Sequence, residues 1–340
     1  MRYWFRRLAI TLLYRMGIIR LYQFARRNRI AIVTIHGVMD ELDRPSWKPL
    51  RPQLARAKFE QYLRILSKHY RFVPLLDAVE MLGGRRPIQP YSLVLTFDDG
   101  YRNNITHALP ILRRHSAPAT FFVPTGFLDS PKPFWWDRLD YALQQARTRG
   151  RDVTIGSVSV HLDYTSREAL RASYLQLRRA AKEQRMADAE FLQQVEGVCA
   201  QLERESGKKL SDIQPTDDWS AIVSWKHLET LGQDVTLGSH TVDHVRLGLA
   251  DPGVVHDQLW KSKMDIEKHT GKSRVSVCYP NGSFTEETLR LAREYGYICG
   301  VTTLEGLNRI GDDVMTLRRI DLPMNATSAD LLFRLSVTCQ

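Results

Sequence analysis

Cysteine is scarce in this chain: among 340 residues there are four, Cys199, Cys278, Cys299 and Cys339, and no C-x-x-C pair. That spacing excludes a disulfide framework, so the thiols read as structural and the compartment as reducing. Long hydrophobic runs are missing too. Near the N-terminus the longest uncharged apolar run, Leu8 to Tyr14, is cut by Arg15 and is too short to span a bilayer. No small-x-small cleavage site follows it, so no export signal is expected. Acid is absent from one stretch: residues 1–30 hold eight arginines and no Asp or Glu. The total charge is +10, so the rest of the chain carries 10 − 8 = +2. A nearly neutral body argues against a nucleic-acid partner, which would need basic residues spread over a folded face.

The basic arm admits two readings. Trp4, Phe5, Leu8, Leu12, Leu13, Ile18, Ile19 and Leu21 can enter a headgroup boundary while the arginines face anionic lipid, giving membrane-surface association through residues 1–25. The same pattern suits a helix packed on the domain, since the arginines segregate only partly on a helical wheel. The expected location is cytoplasmic, with the membrane's inner face as the place of peripheral binding.

What is present gathers around Leu93-Val-Leu-Thr-Phe-Asp-Asp-Gly100. A β-branched and aromatic run predicts a buried strand that stops in two carboxylates and a glycine. Successive strand side chains face opposite ways, so Asp98 and Asp99 can share a site only at the strand's end, where Gly100 permits a sharp exit. Further on, His240 and His244 lie four apart, a spacing that lets them meet on one side of a helical turn. With one aspartate they form an N,N,O set suited to Zn²⁺ or a similar divalent ion. One carboxylate is then left for proton transfer.

In chain order, Ala31–His36 reads as a first buried strand, residues 41–56 as a proline-bearing loop, and Ala57–Tyr70 as a helix. A short strand at 71–73 and a helix at Leu75–Leu82 precede the strand ending at Asp98. Asn103 or Asn104 is expected to cap a helix reaching His115, and a strand follows at 117–123. The alternation of strand and helix predicts a mostly parallel α/β sheet. It resumes near Asp234 with strands at 235–239, 275–279, 297–301 and 315–322 separated by helices. Between lies 127–222, read as a largely helical insertion: a helix to about Arg147, a hairpin over Val153–Tyr164, and helices over Ser166–Arg185 and Ala187–Ser206. Seven or eight strands suffice to close or nearly close a barrel. Active sites of such barrels gather at the carboxyl ends of the strands. His36, Asp98, Asp99, His240 and Tyr279 all fall at such ends.

Thr96-Phe-Asp-Asp-Gly100, Ser239-His-Thr-x-x-His244, Tyr279-Pro-x-Gly282 and Ile35-His36-x-Val38 resemble the polysaccharide deacetylase family, the NodB-homology or carbohydrate esterase 4 group. The resemblance covers most of 31–125 and 222–336, within a barrel domain spanning 31–336 behind the 1–30 arm. It implies a distorted (β/α)₇ barrel and metal-dependent hydrolysis of an N-acetyl group from an amino sugar, in a glycan or lipid-linked saccharide. Carried over by position, Asp99, His240 and His244 would hold the metal, Zn²⁺ first with Co²⁺, Ni²⁺ or Mn²⁺ as alternatives. Asp98 would be the general base, and the backbone N–H of Tyr279 would support the oxyanion.

Two departures stand out. Many members take the leaving-group proton from a histidine in a late Leu-x-His motif, but nothing after His269 can serve here. His36 resembles the first-strand histidine of a branch acting on poly-N-acetylglucosamine and is assigned general acid. The Arg-Pro-Pro-Tyr motif is replaced by Cys278-Tyr-Pro-Asn281, so Arg319 is assigned to hold Asp98 ionised, with Arg318 on the opposite face. Asp243 is read as a support behind the metal ligands, with a solvated turn residue as the alternative. Trp135 and Trp136 suit either sugar stacking or packing of the insertion. The other seven histidines, from His69 to His269, are read as surface or packing residues. Rival readings are a deformylase or other non-peptide amide hydrolase acting on a sugar, and a non-catalytic carbohydrate-binding protein of the same fold; the intact Asp-Asp and His-x-x-x-His sets speak against the latter.

Overall fold

The computed structural model describes residues 2–40, 47–51, 53–146 and 150–337, the side chains of 2–4 and 337 excepted. Cys339, Arg147, parts of the 41–56 loop, and the side chains of Arg2 and Trp4 lie outside the described residues.

Eight parallel strands carry the architecture: β1 (Ala31–Ile35), β2 (Arg71–Phe72), β3 (Ser92–Phe97), β4 (Ala119–Val123), β7 (Val235–Ser239), β8 (Val277–Cys278), β9 (Gly300–Glu305) and β10 (Leu317–Asp321). β5 (Gly150–Ile155) and β6 (Val158–Asp163) form a separate antiparallel hairpin. The order β1-β10-β9-β8-β7-β4-β3, with β1 also pairing β3, closes seven strands into a ring. The ring is uneven. β2 and β4 meet different stretches of β3, at Ser92–Leu93 and Leu95–Phe97, and β7 joins β8 through the single pair Ser239↔Val277. The chain is thus an α/β protein of the distorted (β/α)₇ kind. β1, β3 and β4 are buried along their whole length, as expected of parallel strands covered by helices.

Twelve helices accompany the strands among the described residues: α1 (Arg2–Arg15), α2 (Ile18–Ala25), α3 (Arg56–Leu66), α4 (Leu75–Leu82), α5 (Leu109–Arg114), α6 (Trp135–Gln145), α7 (Arg167–Glu183), α8 (Asp188–Ser206), α9 (Trp225–Glu229), α10 (Pro252–Thr270), α11 (Glu286–Glu294) and α12 (Ser328–Val337). No described helix is long and apolar enough to cross a membrane. The expected cap at Asn103 or Asn104 is not what forms. A π-helical turn at Asn104–Ala108 precedes α5, and Asn103 instead accepts from Val38 N at 3.3 Å. Its side chain pins the loop after β1 rather than a helix end.

The interruption holds α6, the β5–β6 hairpin, α7 and α8 around an apolar cluster that includes Leu139, Ile155, Tyr174, Leu177, Val195 and Leu202. Leu50, from the loop after β1, enters the same cluster, which ties the interruption to the barrel. At the other end, α1 and α2 rest on α12 through Ile10 and Ile19 against Ala329 and Leu332. Their outer side keeps Phe5, Leu8, Leu12, Met16, Leu21 and Phe24 more than half exposed.

Candidate active site

β3 ends as its residues require. Asp99 has φ 73° and Gly100 φ 66°, two successive left-handed residues that turn the chain out of the strand. A Cβ at Gly100 would also crowd Val123 Cγ1 at 3.2 Å, which adds to the preference for glycine set by the left-handed backbone. Both aspartates are buried. After β7 the chain makes an irregular turn, not the expected helical one, with Thr241 at φ 65° and His244 at φ 57°. A β-branched residue pays for such a conformation. Here it is held by Thr125 N donating to Thr241 O at 3.0 Å and by Val245 N donating to Thr241 Oγ1 at 3.3 Å.

That turn brings the two histidines onto Asp99. Its Oδ1 lies 3.6 Å from His240 Nε2 and 3.5 Å from His244 Nε2, and the imidazoles stand perpendicular with centroids 4.6 Å apart. Tetrahedral bonds of about 2.1 Å would separate ligand atoms by about 3.4 Å. The set fits one divalent ion. His240 Nδ1 bonds the Cys278 carbonyl at 2.8 Å, so in the neutral ring the proton sits on Nδ1 and the Nε2 lone pair is free to face an ion. Burial pushes His244 down to about 4, leaving it neutral. Burial opposes a charge on His240 as well, but Cys278 and Asp99 outweigh it and raise this histidine. Asp99, despite burial, is held well below the usual carboxylate range by the two imidazoles.

A second trio, Asp98, His240 and Cys278, also lies close together. It is the poorer candidate, because both Asp98 oxygens are engaged. Arg319 Nη1 and Nη2 donate to Oδ1 and Oδ2, each at 2.8 Å. Arg319 is itself fixed by Nε donating to Thr302 O at 2.9 Å, and it lies beyond a register shift between Leu317 and Arg319 that re-aims β10. Burial would raise Asp98, but the paired guanidinium outweighs it and keeps the carboxyl below its ordinary value. Arg318 is turned the other way, toward the Glu305 carbonyl.

His36 follows β1 and opens on a cavity of 250 Å³. It has no hydrogen bond or ion pair among the described residues. Burial lowers it below the ordinary imidazole value, against the charges of Asp99 and Asp98.

Several expectations need correction. The Tyr279 N–H donates to Val301 O at 3.2 Å, so it belongs to the strand ladder and is not free for an oxyanion; the side chain is buried in the core. Asp243 is exposed and bonded to Gln258 Nε2 at 2.7 Å, bracing the turn rather than a ligand. Of the two readings of Trp136 the packing one holds: it is buried, stacked on Phe134 at 4.5 Å and edge-on to His244 at 4.8 Å.

The sequence reading missed Arg51. Its Nη1 lies 3.9 Å from Asp99 Oδ2, and its Nη2 donates to Tyr101 Oη at 2.6 Å. Tyr101 in turn donates to Asp137 Oδ2 at 2.6 Å and accepts from Trp136 Nε1 at 2.8 Å. Asp140 accepts from the backbone of Leu50 at 2.8 Å. Helix α6 therefore holds the loop that carries Arg51, and Arg51 backs Asp99. No spacing signal marks an arginine in a proline-rich loop. Cys278 was missed as a site residue as well, although its sulfur touches both Asp98 and Arg319.

At the carboxyl ends of its strands the parallel ring carries a His₂–carboxylate cluster able to hold a divalent ion, with a second carboxylate, gripped by Arg319, beside it. The polysaccharide deacetylase family model matches residues 86–211 and 216–300, and the chain belongs to that family. A poly-β-1,6-N-acetyl-D-glucosamine N-deacetylase of Escherichia coli (strain K12) is 29% identical over 104 residues, which is 31% of this chain and 15% of that protein. The chain spans 31% of the length of another curated relative. Among solved structures, the Streptococcus pyogenes deacetylase PplD in complex with acetate matches with TM-score 0.58 at 19% identity, covering 90% of this chain and 98% of that one. IcaB from Ammonifex degensii gives 0.56 at 18%, covering 91% and 97%. At such identities the likeness is one of fold.

Proposed function

We propose that this protein hydrolyses the N-acetyl amide of an amino sugar in a glycan or lipid-linked saccharide, with Asp99, His240 and His244 holding a divalent ion. The observation that carries the reading is the division of labour between neighbouring carboxylates: Asp99 faces two imidazole nitrogens, while Asp98, beside His240, is gripped and kept ionised by Arg319. Such an ion, Zn²⁺ by the chemistry of an N,N,O set, with Co²⁺, Ni²⁺ or Mn²⁺ also suited, would supply a Lewis acid for the amide carbonyl and for a water.

The chain's own residues do the rest. Asp98 takes the proton of the attacking water at a carboxylate oxygen, and Arg319 fixes where that oxygen points. The carbon–oxygen bond forms, the carbon–nitrogen bond breaks, and the leaving nitrogen needs a proton to depart as an amine. His36 is assigned to give it from the cavity side. Since burial lowers His36, its protonated form is the minor one at neutral pH, and the rate should fall as pH rises through its pKa. The products are acetate and the free amino sugar.

The name of the Escherichia coli relative supports a poly-N-acetylglucosamine-like substrate. The exposed apolar residues of α1 and α2, set among arginines, support a membrane surface as the place of action, on the cytoplasmic side where anionic lipid attracts basic segments. Incubation of the Zn²⁺-loaded protein with an N-acetylglucosamine oligomer tests the reading: acetate and free amine should appear in equal amounts and stop with a chelator. No release from acetyl substrates, with formate released from the N-formyl analogue, would replace it by a deformylase.

A further inference from the structure

Helix α7 sets two cations one turn apart where the interruption overhangs the site. Arg178 lines the 250 Å³ cavity with His36, Arg51, Leu175, Asp321 and Met324. Lys182 donates to Asn281 Oδ1 at 2.6 Å and stands 5.8 Å from the centre of the Trp136 ring, the ring that backs His244. One cation thus stands on the His36 side of the site and the other on the His244 side.

These are not ordinary surface charges. Arg178 has no ion pair among the described residues, and its Nε is buried without a hydrogen-bond partner. Arg51, more than nine-tenths buried on the same cavity, also has an unpartnered Nε. Lys182 is pushed down to about 7, by burial first and then by Arg178, with Arg51 and Arg246 adding to it against Asp99. Arg246 is answered by Asp188 at 2.6 Å. The remaining acid on the cavity, Asp321, is exposed at the rim and pairs with none of these cations among the described residues. Buried guanidinium donors almost always find an acceptor, and the fork of an arginine suits an oxyanion. Arg51 is already paired with Asp99, Asp137 and Tyr101, so the open donors are its Nε and Arg178, and a neutral sugar would answer them only with weaker, uncharged acceptors.

We propose that the cavity lined by Arg178 and Arg51 receives an oxyanion carried by the substrate sugar, a phosphate or a carboxylate outside the amide that is cleaved, with Lys182 adding positive charge from the next turn of α7. The proposal rests on the deacetylase reading for the sugar, but not for the anion site.

Calorimetry on the metal-loaded protein carrying Asp98→Asn, which stops turnover, compares N-acetylglucosamine 1-phosphate with methyl N-acetylglucosaminide; a third arm uses a disaccharide of N-acetylglucosamine and glucuronate. The phosphate or the uronate should bind at least about tenfold tighter than the neutral glycoside, as expected of charge-assisted bonds, and the arm that does so identifies the oxyanion. Arg178→Ala with Lys182→Ala should bring that preference to near parity, while Arg178→Lys with Lys182→Arg should keep most of it. Equal affinity for all three ligands in the parent protein overturns the proposal, as does a preference that survives the double alanine change, which would assign the anion to the metal. Absence of acetate release by the native protein from every amino sugar, with the anion preference intact, would sink the deacetylase reading alone.

Discussion

Arg319 grips both carboxylate oxygens of Asp98 at 2.8 Å across 221 positions of sequence, and neither residue is more than 3% exposed. Removing one partner of a buried pair strands the other's charge, at a cost of ~3–5 kcal/mol. Arg319→Ala should therefore lower stability by that order in urea denaturation. It should also move the acid limb of the pH–rate profile upward. In the native protein Asp98 titrates below the ordinary 3.8; without the guanidinium, burial pushes it up and the base is protonated at higher pH. An acid limb that stays in place would show that Arg319 does not set the ionisation of Asp98.

Asp98→Asn keeps the shape but cannot accept the water's proton. Turnover should fall by a factor of ~10²–10⁴ or more, with metal content near one ion per chain by elemental analysis. Turnover like that of the native protein would remove Asp98 from its role.

His240→Ala should lose both metal and activity. In the ion-free site His240 is raised above 6.5, whereas His244, at about 4, is already neutral. Metal must displace the proton on His240, so affinity should weaken as pH falls, with proton release on binding. Calorimetry in buffers of different ionisation enthalpy counts that proton; a count of zero contradicts the assignment.

For His36→Ala, metal should be retained and the rate reduced by ~10²–10⁴. The alkaline limb of the native profile should lie below pH 6.5 and vanish in the variant, because His36 is lowered by burial and is competent only when protonated. An unchanged limb would assign the leaving-group proton elsewhere.

Deleting residues 1–25 should abolish flotation with vesicles rich in anionic lipid while leaving acetate release from a soluble oligomer measurable. The exposed Phe5, Leu8, Leu12, Met16, Leu21 and Phe24 predict it, and salt should weaken the binding by screening the arginines. Equal flotation of the shortened and full proteins would leave α1 and α2 as packing for α12 alone.

The sequence by itself determined the strands and the chemistry that short spacings encode. Val235–Ser239 and Leu75–Leu82 form where their apolar patterns place them, because strand and helix periods are local properties. Asp98-Asp99-Gly100 and His240-x-x-x-His244 were legible as a site since few other arrangements bring two carboxylates and two imidazoles to strand ends. Arg319 could be named because Asp98 needed a cation. What lay beyond reach depended on how the ring closes and how the interruption seats upon it. The commitment of the Tyr279 N–H to Val301 follows from the register of β8 on β9. The approach of Arg51 to Asp99 follows from α6 clasping a loop some ninety residues earlier, and the placing of Arg178 and Lys182 beside the site from the packing of α7. Those are contacts between distant segments, fixed by three-dimensional packing, and no local pattern of residues records them.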